Sequence, residues 1–139
     1  MAAYSSSFQI STKGFCDVHD ITSSLERILR DSGLANGIIT AFVPGSTAGL
    51  TTIEFESGAV EDFKQAVERM APQGIRYHHD ARWGDGNGFA HVRAAILGPS
   101  LTVPFASGSL QTGTWQQAVL VDFDNRARSR ELLVTVVGD

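Results

Sequence analysis

Apolar residues recur along this chain in two rhythms, one with the period of a helix and one with that of a strand. After a short β-type segment at Phe8 to Thr12, the residues Ile21, Leu25, Ile28 and Leu29 fall on one helical face. Asp20 is placed to cap that helix and Gly33 to end it. Ile38 to Val43 is a continuous apolar and β-branched run, the pattern of a buried strand, and Pro44-Gly45-Ser46-Thr47 breaks it. Extended chain resumes from Leu50 to Phe55. Val60, Phe63, Val67 and Met70 mark the buried face of a second helix over about Ala59 to Met70, which Pro72 stops. Phe89, Val92, Ile96 and Leu97 show helical spacing again, with Asn87 as a cap and Gly98-Pro99 as the stop.

The last third predicts strands at Ser100 to Phe105, Thr114 to Phe123 and Arg130 to Val137, with turns at Ser107-Gly108 and Asp124-Asn125. Being sequential neighbours, these strands are expected to pair as hairpins. No repeat, linker or low-complexity segment interrupts the pattern. The expectation is one α+β domain over residues 1–139, a largely antiparallel, curled and barrel-like sheet covered by two main helices plus a short one.

Composition narrows the function classes. A net charge of −4, with basic residues scattered except at Arg126, Arg128 and Arg130, argues against nucleic acid as a partner. Cys16 is the only cysteine, which excludes an internal disulfide and a cysteine-based zinc knuckle and suits a reducing compartment. The N-terminal MAAYSSSFQI has no basic and then apolar leader pattern, and no later run approaches the roughly 18 apolar residues of a membrane span. A cytoplasmic protein without membrane association is expected.

Candidate chemistry concentrates between Tyr77 and Leu97, which holds three of the four histidines and two aspartates. His79 and His91 converge only if the intervening glycine-containing loop folds back. His78 and His79 are adjacent, so in an extended segment they point to opposite sides and only one enters a shared site. Two imidazoles need a third ligand for a divalent metal such as zinc or magnesium, and Glu54 is the carboxylate nominated. The alternative is a set of structural, hydrogen-bonded histidines.

Gly84-Asp85-Gly86-Asn87-Gly88 fits no phosphate or calcium motif. Phe89 stands where a dinucleotide fingerprint needs glycine and an EF-hand needs an oxygen ligand, and no Gly-Lys-Ser/Thr ending follows. It remains a turned loop with open amides. Pro44 to Gly49 places the hydroxyls of Ser46 and Thr47 and several N–H groups after a buried strand, where they form either an anion cradle or a polar loop. It is no nucleophile elbow, because Pro44 and Ala48 occupy the required glycine positions. Trp115, between Thr114 and Gln116, is a ligand platform or a core residue. Arg128 and Arg130 alternate onto one face of a strand, as forks for phosphate or as part of a solvated turn.

Several of these segments together resemble the YjbQ family, also called the secondary thiamine-phosphate synthase family. The matching residues are Ser46-Thr47-Ala48-Gly49-Leu50-Thr51 with Glu54, Tyr77-His78-His79-Asp80, Ala90-His91, Leu97 to Pro104, and Gly113-Thr114-Trp115-Gln116. The resemblance implies a barrel-like α+β domain assembled as a homotrimer, with polar residues gathered near subunit contacts. It also implies that His79 and His91 are the family's histidine positions, while His78 stands at a variable one. One departure is that many members carry histidine followed by Thr-Ser where this chain has Gly45-Ser46-Thr47. The family's name implies joining a hydroxymethylpyrimidine diphosphate to a thiazole phosphate with loss of pyrophosphate.

The combined expectation is a metal-assisted enzyme on a small phosphorylated metabolite, or a trimeric metabolite- or anion-binding protein without turnover. Glu54, His79 and His91 are the expected catalytic and metal-holding residues. Ser46, Thr47, Thr51, Asp80, Asp85, Asn87, Thr114, Trp115, Gln116, Arg128 and Arg130 are the expected substrate contacts.

Overall fold

The computed structural model describes residues Met1–Asp139. Its strands are β1 (Ala2–Thr12), β2 (Asp17–Asp20), β3 (Gly37–Phe42), β4 (Ala48–Ile53), β5 (Ser100–Ala106), β6 (Ser109–Leu110), β7 (Gln117–Asp122) and β8 (Arg128–Gly138). Its helices are α1 (Thr22–Ser32), α2 (Ser57–Met70), α3 (His78–Trp83) and α4 (Gly88–Leu97). The strands form a five-stranded sheet ordered β1-β8-β3-β5-β6 and a three-stranded sheet ordered β2-β7-β4. Every pairing is antiparallel. The domain is thus α+β with a curled antiparallel sheet, as the sequence pattern predicts.

Local signals act largely as read. The expected Asp20 cap is displaced by one residue: Ile21 holds the cap position with no side-chain bond, Asp20 accepts the Thr22 N–H at 2.9 Å from just before it, and Gly33 ends α1 in the left-handed region at φ 70°. Leu25, Ile28 and Leu29 seal that helix against the larger core cluster. Helix α2 begins earlier than Ala59 because Glu56 caps it, accepting from the Gly58 and Ala59 N–H groups at 2.8 and 2.7 Å. Those two bonds hold the Glu56 carboxyl below its ordinary pKa. Of the predicted α2 face only Val67 is buried, and Met70 is exposed.

Three expectations are corrected. Strands β5, β7 and β8 do not pair with one another. Strand β8 lies between β1 and β3, β5 beside β3 and β6, and β7 between β2 and β4. Long-range register wins because β8 alternates buried and exposed residues along its whole length and so can cover the core while bonded on both edges. The second correction is β1, which runs from Ala2 and pairs with β8 as far as Gly138. Its serines hid it, since Ser5, Ser7 and Ser11 lie exposed while Tyr4, Phe8 and Ile10 pack toward the core. The third is a fourth helix: His78 and His79 are helical rather than extended, and Asp80 accepts the Gly88 N–H at 2.8 Å to pin the start of α4.

The outer face of the larger sheet is nearly uncharged. Across strands it reads Ala3, Val137, Ile38 and Pro104 in one row. Another row reads Ser7, Leu133, Phe42 and Ser100, and Ile38, Phe42 and Leu133 are exposed. No helix of the chain is long and apolar enough to cross a membrane.

Candidate functional site

The apolar run Ala118 to Val121 ends in Asp122, Phe123 and Asp124, all three fully buried. Strand alternation sends Phe123 into the smaller core cluster and both carboxylates to the opposite side. Buried carboxylates are costly without partners, and here both are saturated. Asp122 takes a two-pronged bond from Arg130, Nε to Oδ2 at 2.7 Å and Nη2 to Oδ1 at 3.0 Å. It also accepts from the Thr12 hydroxyl at 2.6 Å and the Asp124 N–H at 3.0 Å. Asp124 accepts from Arg128 Nε at 2.8 Å, Thr47 Oγ1 at 3.0 Å, Asn87 Nδ2 at 3.2 Å and the Asn125 N–H at 2.8 Å. Burial pushes the Asp124 pKa up, and the donors from Asn87, Asn125, Arg128 and Thr47 outweigh it, holding the carboxyl at about 2.

This network is the floor of an open cleft of about 500 Å³ lined by Gly45, Ser46, Thr47, His79, Trp83, Asp85, Asn87, His91, Arg128 and Arg130. Each lining segment has its own anchor. Thr47 is held by Arg130 Nη2 at 2.7 Å, and its carbonyl accepts the Phe123 N–H at 2.9 Å. Gly45 sits at φ 120°, and a Cβ there would lie 3.1 Å from Arg130 Nη1. Glycine keeps that edge of the guanidinium open, and Nη1 of Arg130, like that of Arg128, takes no protein acceptor.

On the opposite wall α3 and α4 bring the rings of His79 and His91 to 4.3 Å between centroids. His79 Nδ1 lies 3.3 Å from Asp85 Oδ1 and 3.5 Å from Asp80 Oδ1. The potential ligand atoms of His79, Asp80 and Asp85 all lie within 4.8 Å of one another. Asn87, expected as a helix cap, makes no capping bond. Its amide is turned to Asp124 instead, and its buried Oδ1 has no hydrogen-bond partner. An acceptor so enclosed calls for a donor or a cation.

The structure therefore brings together Ser46, Thr47, His79, Asp85, Asn87, His91, Arg128 and Arg130, with Asp80 behind them. It does not bring Glu54 to them. Ala48 pairs with Asp122 beside the cleft, whereas Ile53 pairs with Gln117 at the other end of β4. Glu54 is six residues beyond Ala48, about 20 Å along an extended strand, and it is exposed. Thr51 lies midway along β4 opposite Val119. Gln116 donates to Thr52 at 3.0 Å near Glu54's end of the sheet. Thr114 and Trp115 precede β7 in that same region, with Trp115 73% exposed rather than core. The residues that sequence reasoning missed are Thr12, Asp122 and Asp124. For the two acids the signal was their spacing by two at the end of an apolar strand, which the turn predicted at Asp124-Asn125 masked, and Thr12 on a distant strand gave none. Cys16 is no nucleophile, since burial raises its thiol to about 11.

Fold and site together define a small α+β protein with a polar, arginine- and histidine-lined cleft on one end of its smaller sheet. A family model described as UPF0047 protein YjbQ-like matches residues 6–139. A UPF0047 protein of Methanothermobacter thermautotrophicus is 35% identical over 138 residues, covering 99% of this chain and 94% of its own. Another, YugU of Bacillus subtilis, is 30% identical over 131 residues, covering 94% of this chain and 96% of its own. Among solved structures, a YbjQ-like protein of unknown function from Sulfolobus solfataricus superposes with a TM-score of 0.94 at 32% identity, covering 99% of both chains. The chain belongs to the UPF0047, YjbQ-like family.

Proposed function

We propose that this protein is a metal-assisted enzyme acting on a small phosphorylated metabolite, with thiamine-phosphate synthesis as the named reaction of that class. One observation carries the reading: two guanidiniums, each anchored on a buried carboxylate, leave their Nη1 edges open beside the Gly45 to Thr47 loop, across the cleft from an imidazole–carboxylate cluster. Fixed donors of this kind hold phosphate oxygens and stabilise a departing diphosphate without a nucleophilic side chain.

Charge favours a cation in the same cleft. Arg128 and Arg130 face Asp80, Asp85, Asp122 and Asp124, two negative charges in excess. A divalent ion held by His79 and Asp85, with Asp80 and Asn87 Oδ1 as further oxygen donors, cancels that excess and places a local positive charge where a phosphate can meet it. The imidazole fits zinc better than magnesium. Arg128 and Arg130 then orient the ligand, and the loop amides exclude water from its other side. The second reading, binding without turnover, is favoured by how completely the floor is tied down, as in a rigid receptor. Release of pyrophosphate from the pyrimidine diphosphate, only when the thiazole phosphate is present, separates the two.

Calorimetric titration of inorganic phosphate into protein holding one equivalent of zinc tests the anion site. Arg128→Lys, which keeps a cation on the buried Asp124 but loses the open Nη1 edge, is expected to weaken binding about tenfold. Equal binding by variant and parent sinks the anion site. Arg130→Ala is unsuitable, because Arg130 is buried against Asp122 and its loss affects the fold itself.

A homotrimer is proposed as well, supported by the nearly uncharged outer face of the larger sheet with Ile38, Phe42 and Leu133 exposed on it. Sedimentation at working concentration is expected to give three times the 14.9 kDa chain mass. Phe42→Asp, set in the middle of that face, is expected to shift the protein to monomer, and a parent that sediments as monomer refutes the assembly.

A further inference from the structure

We infer that the α3 wall of the cleft is a lid, fixed at both ends, that closes over an anion held by the rigid floor. This goes beyond the anion reading above and rests on it only for the ligand that closes the lid. No residue from Pro72 to Gly86 is buried, whereas Ala71 before them and Asn87 after them both are. Those two ends are tied to buried polar groups. The Ala71 carbonyl accepts from Arg93 Nε at 3.0 Å, and the Asn87 amide donates to Asp124 at 3.2 Å.

Between the ends little holds the segment down. Tyr77 packs against the smaller core cluster, so the part free to move is His78 to Gly86. Beyond Tyr77 its hydrogen bonds to the body are those of the Gly88 N–H to Asp80 and of Asn125 Nδ2 to the Asp85 carbonyl, both at 2.8 Å. The His79 ring adds a contact with His91. Gly84 and Gly86 make the joint with Asn87 at φ 73° and 72°, and a Cβ on Gly84 would meet nothing within 4 Å. A segment with no buried side chain and so few ties opens far more readily than the sheet beside it, and the lids of binding sites are drawn from such segments. What this one carries gives its motion a consequence. His79, Trp83 and Asp85 line the cleft from the lid, while Thr47, Asn87, Arg128 and Arg130 line it from the floor. Trp83 is 67% exposed although it lines the cleft, and closure over a ligand is what covers its ring.

Hydrogen exchange at the Ala81 and Gly84 amides, which bond to the Tyr77 and Asp80 carbonyls inside the lid, reads the opening directly. In protein without ligand they are expected to be slowed less than about a hundredfold relative to free chain, well below the amides of α4. Asn125→Ala removes one of the two ties and keeps the Asn125 N–H on Asp124, so it is expected to speed their exchange about fivefold. Saturating inorganic phosphate, added to protein holding one equivalent of zinc, is expected to slow them about tenfold while α1 exchanges as before. Lid amides as protected as those of α4 before any ligand is added, or phosphate binding by calorimetry with no slowing, overturns the lid and leaves the anion site standing. Absence of phosphate binding overturns the anion reading, and the lid with it.

Discussion

Replacing Asp122 by alanine is expected to destabilise the protein by about 3–5 kcal/mol, the usual effect of stranding one member of a buried ion pair. Asp122 is fully buried, and its loss leaves the Arg130 guanidinium, only 8% exposed, without both of its carboxylate hydrogen bonds and with only a 3.9 Å ion pair to Asp124, and takes from Thr12 the shorter of its two acceptors. Denaturant unfolding measures the difference. The double change Asp122→Leu with Arg130→Met removes both charges and is expected to recover most of the stability, since an apolar pair of similar volume often replaces a buried ion pair at little loss. A single variant within about 1 kcal/mol of the parent contradicts the role given to this pair. Acid attacks the same floor through Asp124. Its carboxyl is held at about 2 in the fold against 3.8 ordinarily. The stabilisation from this group is therefore complete above the ordinary value and lost as pH falls through about 2, an effect on the order of 2 kcal/mol. Asp124→Asn is expected to flatten stability over that interval.

The elements that the sequence revealed are those in which local chemistry and tertiary packing agree. Helix α1 is legible because the Asp20 side chain that binds its first turn, its apolar stripe and its terminal glycine all lie within Asp20 to Gly33. Strand β1 is not fully legible, because the residues facing away from the core are serines, and its length is set by pairing with β8 at the far end of the chain. The same separation governs the site. His79, His91, Asp85 and Asn87 are found from a local cluster of chemistry-bearing residues, and Arg128 and Arg130 from alternation. Their common anchor is Asp122 and Asp124, whose value lies in partners as distant in sequence as Thr12 and Thr47. Glu54 shows the converse: carboxylate type and motif membership placed it with the histidines, whereas within one chain the direction of β4 carries it away from them. Gly45, standing where many relatives were expected to carry histidine, has a physical role of its own in leaving Arg130 Nη1 open to the cleft.

That division of the motif residues gives the metal proposal its sharpest test. Zinc titrated calorimetrically into the protein is expected to bind at one site per chain, and His79→Ala or Asp85→Asn is expected to weaken it about a hundredfold or more, since each removes a donor outright. Both side chains are partly or largely solvent-accessible, so neither change is expected to move stability by more than about 0.5 kcal/mol. Zinc affinity unchanged in both variants rules out the metal at this place. Within one chain Glu54 lies at the other end of β4, so Glu54→Ala is expected to leave zinc affinity as it was. A loss in Glu54→Ala as large as that in His79→Ala has one geometric explanation, that the carboxylate reaches the cleft from a neighbouring copy. The end of the small sheet bearing Glu54, Trp115 and Gln116 is then the second wall of the site, and dilution to monomer is expected to abolish zinc binding along with it.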